Sequence, residues 1–149
     1  MTSCTIVRAF ADTNVIVYAQ SDDGTKTTTA IKLLEAGPVI SAQVVNEAVA
    51  ILTRKYRFSL PDAHQVATAL LTACEVVPVD ADTIREAIRL TTRYKLSHWD
   101  SLIVSAALLA GCDSLHSEDM QDGLVIEEKL TVVNPFKEAV VGPSAPSPG

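Results

Sequence analysis

The sequence predicts an α/β fold: one domain built on a parallel five-stranded sheet covered by helices. Two observations carry this. Short apolar, β-branched runs alternate with longer segments of helical period, the pattern that a parallel sheet with helical crossovers imposes. The 149 residues are 48% hydrophobic, which suits one compact domain with a single sizeable core. The first strand is expected over residues 5–11. A helix follows that stops at Gly37, glycine being the usual residue for the left-handed turn that ends a helix. The second strand covers 39–41 and runs into a helix over about 42–56. Ser59-Leu60-Pro61-Asp62 opens the next helix, with a hydroxyl to cap free amides and a proline in the first turn. The third strand, 75–79, leads to a helix over about 81–94. The most apolar helix lies in "LSHWDSLIVSAALLAGC", residues 96–112, and stops at Gly111. Strands at 114–116 and 130–133 complete the sheet. The domain is expected to span 1–136. Residues 137–149, rich in Gly, Pro and Ser, form a tail expected to be largely disordered.

Composition excludes several function classes. The longest nearly apolar run, 102–112, is too short to cross a bilayer, and the N-terminus has no basic region followed by an apolar stretch and a cleavage site. A cytoplasmic protein without a membrane partner is expected. Cys4, Cys74 and Cys112 are odd in number and far apart, so they suggest reduced thiols and no disulfide framework, with Cys112 read as strand core. His64, His98 and His116 lack the helical spacing of a zinc pair. A formal charge of −6 argues against binding nucleic acid by bulk positive field. Locally, Arg54, Lys55 and Arg57 cluster, and Arg85, Arg89 and Arg93 recur along one helix face. Both groups are candidate phosphate contacts, although a solvated helix face explains the second equally well.

Acids are distributed more tellingly. In open parallel sheets the functional crevice lies beyond the carboxyl ends of the strands. Asp12 follows the first strand, Glu47 lies in the second turn of the helix after the second, Asp100 stands near the start of the apolar helix, and Asp119 follows the fourth strand. Each has an ordinary explanation. Asp12 fits a helix cap, Glu47 an exposed surface acid, and Asp100 the fourth position of a capping box opened by Ser97. Glu118, Asp119 and Asp122 fit a turn, and spacing does not decide which of the three faces a crevice. Their joint placement at one sheet edge is the signal. Carboxylates held close repel unless a cation neutralises them, and oxygen-only ligands select magnesium or manganese. Such an ion suits phosphodiester hydrolysis by a metal-activated water.

"FADTNVIVYA" (10–19), "ISAQVVNEAVAIL" (40–52), "LSHWDSLIVSAALLAGCDSLHSEDMQDG" (96–123) and "LTVVNPF" (130–136) together resemble a PIN domain, specifically a VapC-like ribonuclease toxin of a type II toxin–antitoxin pair. The resemblance implies a three-layer sandwich, a Mg2+- or Mn2+-dependent endoribonuclease acting on RNA, a homodimer, a small cognate antitoxin and a prokaryotic cytoplasm. It assigns the acidic site to Asp12, Glu47, Asp100 and Asp119, with Asp12 and Asp100 as the metal-binding core, and gives Asn14 and Ser117 the task of orienting ligands or water. The alternative is a non-catalytic module of the same fold that binds a protein or RNA. A glycine-rich dinucleotide turn is absent after the first strand, where Asp12-Thr13-Asn14 stands instead.

Overall fold

The structure, a computed structural model, describes residues 7–137. In chain order it contains β1 (Ala9–Ala11), α1 (Thr13–Ala19), α2 (Gly24–Glu35), β2 (Val39–Ser41), α3 (Ala42–Arg54), α4 (Leu60–Ala73), β3 (Glu75–Val77), α5 (Ala81–Tyr94), α6 (His98–Leu109), β4 (Ser114–His116), β5 (Val125–Ile126) and β6 (Leu130–Val133). The strands form one sheet in the order β3-β2-β1-β4-β6-β5. All neighbours are parallel except β5 and β6. The α/β class and the five parallel strands therefore match expectation, and β5 is an addition. Two residues give no periodicity to read. The turn that joins β5 to β6 places Glu127 and Glu128 at φ 54° and 59° without the Gly or Asn that such a hairpin favours, so it left no sequence signal.

Local chemistry sets the element ends. β3 stops at Val77, before Pro78, which has no amide to continue a ladder. Ser41, Ser59, Asp80 and Ser97 each accept an amide hydrogen bond at the start of α3, α4, α5 and α6. α5 buries Thr83, Ala87 and Leu90, one stripe at helical spacing, and leaves its charged face in water. α6 is different: all seven residues from 101 to 107 are buried. Its hydroxyls are accordingly satisfied, Ser105 donating to the Thr83 carbonyl (2.7 Å) and Ser101 accepting from Thr91 (2.9 Å).

The core centres on the middle strands. Phe10, Ile40, Leu115 and Val132 are fully buried, with Phe10 opposite Leu115 and Leu115 opposite Val132. Burial of side chains of this size stabilises the fold by about 1.5–3 kcal/mol each. Cys112 is buried as expected but belongs to the turn between α6 and β4, not to a strand; its amide bonds the Ala107 carbonyl. Cys74 is also a buried free thiol. Cys4, the first two residues of the expected 5–11 strand, and the expected tail beyond Lys137 lie outside the described residues. Among the described residues no helix is long and apolar enough to cross a membrane.

Strand order also locates a crevice. From β1 the chain moves to β2 and β3 on one side, then returns to place β4 on the other. Between β1 and β4 the connections diverge, and a depression opens beyond their carboxyl ends.

Candidate active site

The Asp12 amide donates to the His116 carbonyl (3.0 Å), which brings the end of β1 against the end of β4. Side chains from four elements meet there. Asp12 is 5% exposed, and its two oxygens accept from the Thr13 amide (2.7 Å) and the Ser117 hydroxyl (2.8 Å). Ser117, itself fully buried, accepts in turn from the Asp119 amide (3.1 Å). Asn14 donates to the Asp119 carboxylate (3.1 Å) and accepts from the Glu118 amide (3.3 Å). Thr13 donates its hydroxyl to Glu47 (2.8 Å), and Gln43, one helical turn before it, donates to the other Glu47 oxygen (3.2 Å). A continuous hydrogen-bond chain thus links Glu47, Asp12 and Asp119.

Asp100 enters from the start of α6. The Ser97 hydroxyl accepts its amide (3.1 Å), so the helix is capped. The reciprocal bond of a capping box, from the Ser97 amide to the Asp100 carboxylate, is not among the bonds of the described residues, whereas the box at Asp80 and Thr83 is complete. The Asp100 carboxylate is left to face the groove that Asp12, Glu47 and Asp119 also line.

Electrostatically the cluster is unbalanced. Burial pushes the Asp12 carboxyl up to about 6; the bonds from Ser117 and Thr13 oppose this, and the negative charges of Asp119 and Glu47 add to it. Burial also raises Asp100, helped by Asp119 and Glu47 and opposed by Ser97. Among the described residues none of the four acids is in an ion pair. His116 supplies no lasting positive charge, because burial lowers its pKa.

These donors fit a hard divalent cation: all are oxygens, and their mutual repulsion is what such an ion relieves. Among the described residues no three His, Cys, Asp or Glu side chains close into a metal cage.

The remaining acids of the loop after β4 are occupied elsewhere. Glu118 binds Lys26 (2.7 Å) and the Tyr18 hydroxyl. Burial pushes its carboxyl up, but Lys26 and Tyr18 outweigh that and hold it below its ordinary value. Asp122 accepts from the Asn134 amide (2.8 Å) and pairs with Lys137 (3.3 Å). Of the three, Asp119 is the one hydrogen-bonded into the cluster.

The groove has a volume of about 1150 Å³, and Arg54 and Lys55 lie on its wall. The second basic group does not. Arg85 pairs with Asp82, Arg89 with Glu86 and Glu127, and Arg93 with Glu127, and none of the three lines the groove. Sequence reasoning passed over Thr13, which bridges Asp12 and Glu47, and Trp99, which stands on the groove wall. For both the signal was adjacency, each being next in sequence to a site acid.

A family model for the PIN domain matches residues 9–122. Similar solved structures include a toxin–antitoxin complex from Klebsiella pneumoniae, 24% identical with TM-score 0.66, covering 86% of this chain and 98% of that one. VapC20 from Mycobacterium tuberculosis, described as a sarcin-ricin loop cleaving toxin, is 23% identical with TM-score 0.62, covering 74% and 89%. FitAcB from Neisseria gonorrhoeae is 17% identical with TM-score 0.63, covering 87% and 99%. No curated protein matches the chain.

Proposed function

The chain belongs to the PIN domain family, and from that premise we propose that it is a VapC-like toxin: a Mg2+- or Mn2+-dependent endoribonuclease held in check by a small antitoxin. One observation carries the reading. Four carboxylates line one groove at the β1/β4 crossover, three of them held by hydrogen bonds and none in an ion pair among the described residues, and burial, with the charges of Asp119 and Glu47 adding to it, pushes Asp12 up to about 6. Burying and crowding carboxylate charge costs the fold stability, which marks the arrangement as one kept for chemistry.

In this reading Asp12 and Asp100 would hold the ion directly, with Asp119 and Glu47 acting through water or on a second ion. When bound, the ion lowers the pKa of a coordinated water and offsets charge on the phosphate, which suits hydrolysis to a 5′-phosphate and a 3′-hydroxyl. Ser117 orients Asp12 by donating to one oxygen, so that the other lone pairs stay aimed at the groove. Asn14 does the same for Asp119. Thr13 sets the angle of Glu47 against Asp12. Arg54 and Lys55 take flanking phosphates of the RNA, which allows a chain of charge −6 to bind a polyanion. The arginines of α5 are left out of this role because local acids neutralise them.

The antitoxin partner is supported by the assemblies in which similar folds occur, a toxin–antitoxin complex and FitAcB among them. A homodimer and a prokaryotic cytoplasmic setting belong to the same reading. The test is incubation of the purified protein with RNA in Mn2+ and in EDTA, followed by analysis of product ends. Cleavage in Mn2+ alone, leaving 5′-phosphates, is expected. A 2′,3′-cyclic phosphate would mean attack by the RNA's own hydroxyl and would reject the mechanism. Tight RNA or protein binding without cleavage would point to a non-catalytic module.

A further inference from the structure

Trp99 is the chain's single tryptophan, and it is 63% exposed. Tryptophan is highly buried on average, so an indole left in water on the wall of a functional groove calls for a physical reason. The core does not supply one. α6 buries residues 101–107, and Trp99 lies before that run. The one ring it meets among the described residues is that of exposed His98, approached edge-on with centroids 5.6 Å apart.

Its neighbours are more informative. The next residue is Asp100, so the indole is tethered beside a carboxylate of the site. The same groove is lined by Arg54, Lys55 and Tyr56, with the Lys55 ammonium 5.9 Å from the centre of the Tyr56 ring. Cations that track a phosphate backbone, interleaved with flat rings that accept bases, are what single-stranded nucleic acid requires of a surface. A duplex has no base to offer such a ring, because its bases are already stacked on one another and the major groove of A-form RNA is too deep and narrow for side chains to enter.

Resting on the ribonuclease reading, we infer that Trp99 stacks on an unpaired base adjacent to the scissile phosphate and thereby selects single-stranded or looped RNA over continuous duplex. The ring then acts as a ruler: stacking fixes the base, and the tether through the next residue fixes the phosphate against Asp100. Tyr56 and Lys55 receive the strand on the other part of the wall.

Because the protein has one tryptophan, its emission reports base stacking directly. The experiment titrates the purified protein, in Ca2+ to offset the carboxylate charge, with a short unstructured RNA and with the same RNA annealed to its complement, both checked on a gel to be intact. The single strand is expected to quench Trp99 and the duplex to leave it unchanged. Labelled single strand is expected to bind Trp99→Ala about tenfold or more weakly, the loss that follows from giving up one stacked base, and Trp99→Phe within about threefold of wild type. Both variants are checked for folding by circular dichroism. Equal binding of single strand by wild type and Trp99→Ala would overturn the inference, as would equal quenching by duplex. Emission that shifts with protein concentration alone would also overturn it, since the ring would then be covered by a second copy. If wild type cuts RNA in Mn2+ and Trp99→Ala cuts and binds equally well, only the role of Trp99 fails. If wild type neither cuts nor binds RNA, the underlying ribonuclease reading fails first.

Discussion

Replacing Asp12 by Asn is predicted to stabilise the metal-free protein at neutral pH, because the native carboxylate is held there against its own electrostatics. Its pKa rises from an ordinary 3.8 to about 6, chiefly through burial. At about 1.4 kcal/mol for each pH unit, the ionised form costs the fold about 3 kcal/mol above pH 6. The sign follows from proton linkage. Between about pH 4 and 6 the folded chain keeps a proton that the unfolded chain has released, so stability is fullest below 4 and falls as pH rises through 6. Asparagine resembles the protonated carboxyl, with one full acceptor oxygen, and the bonds from Thr13 and Ser117 that favour the ionised form are already counted in the value of about 6. The net gain is about 3 kcal/mol at pH 7.5 in EDTA, seen as a Tm about 6–12 °C higher. At pH 4 the gap closes, because the native Asp12 is then protonated as well. Thermal melts of both proteins at the two pH values, followed by circular dichroism, measure the gap. The same gap at pH 7.5 and pH 4 would refute the reasoning, since a difference that ignores pH does not come from this ionisation.

Three further outcomes follow from the same geometry. Ser117→Ala leaves one oxygen of the Asp12 carboxylate and the Asp119 amide each without the hydroxyl they share, so urea denaturation should show a loss of about 2 kcal/mol and the initial cleavage rate should fall with it. Asp119→Asn should lower kcat/KM in Mn2+ by about a hundredfold or more, whereas Glu118→Gln, at a side chain engaged by Lys26 and Tyr18, should lower it less than about tenfold; equal losses would mean that the wrong acid has been assigned to the site. Arg54→Glu should weaken binding of single-stranded RNA and reduce the salt dependence of log Kd by about 0.7 for each phosphate that is no longer neutralised, while Arg89→Ala, already paired with Glu86 and Glu127, should change neither; fluorescence anisotropy over a salt series distinguishes them.

How much of this was legible depended on whether a feature was periodic or spatial. The parallel strands and the helices from α3 onward were readable because apolar runs or stripes lie next to cap or stop residues, as at Ser59-Leu60-Pro61 and Gly111, whereas the single helix expected before Gly37 is two, α1 and α2. β5 was not, being two residues long and joined to β6 through Glu127 and Glu128 in a conformation their side chains do not advertise. The four acids were readable as a set because topology alone puts the ends of β1 and β4 and the starts of α3 and α6 at one edge. Choosing among Glu118, Asp119 and Asp122 was not, since the partners that decide it, Lys26, Asn14 and Asn134, are remote in sequence from that loop or from each other. The arginine stripe of α5 illustrates the reverse failure. Its spacing is real, but Glu86 and Glu127 answer it within the fold, and spacing carries no information about a partner 38 residues away.

The most direct test of the central claim uses Asp100, whose amide is capped by Ser97 and whose side chain lines the groove. Wild type and Asp100→Asn are induced separately in a bacterial host that lacks the antitoxin, and newly created RNA 5′-monophosphate ends are mapped across the transcriptome. The account predicts discrete new ends with wild type only, from two proteins of nearly equal thermal stability. Identical end maps from both, with both folded and soluble, would contradict it.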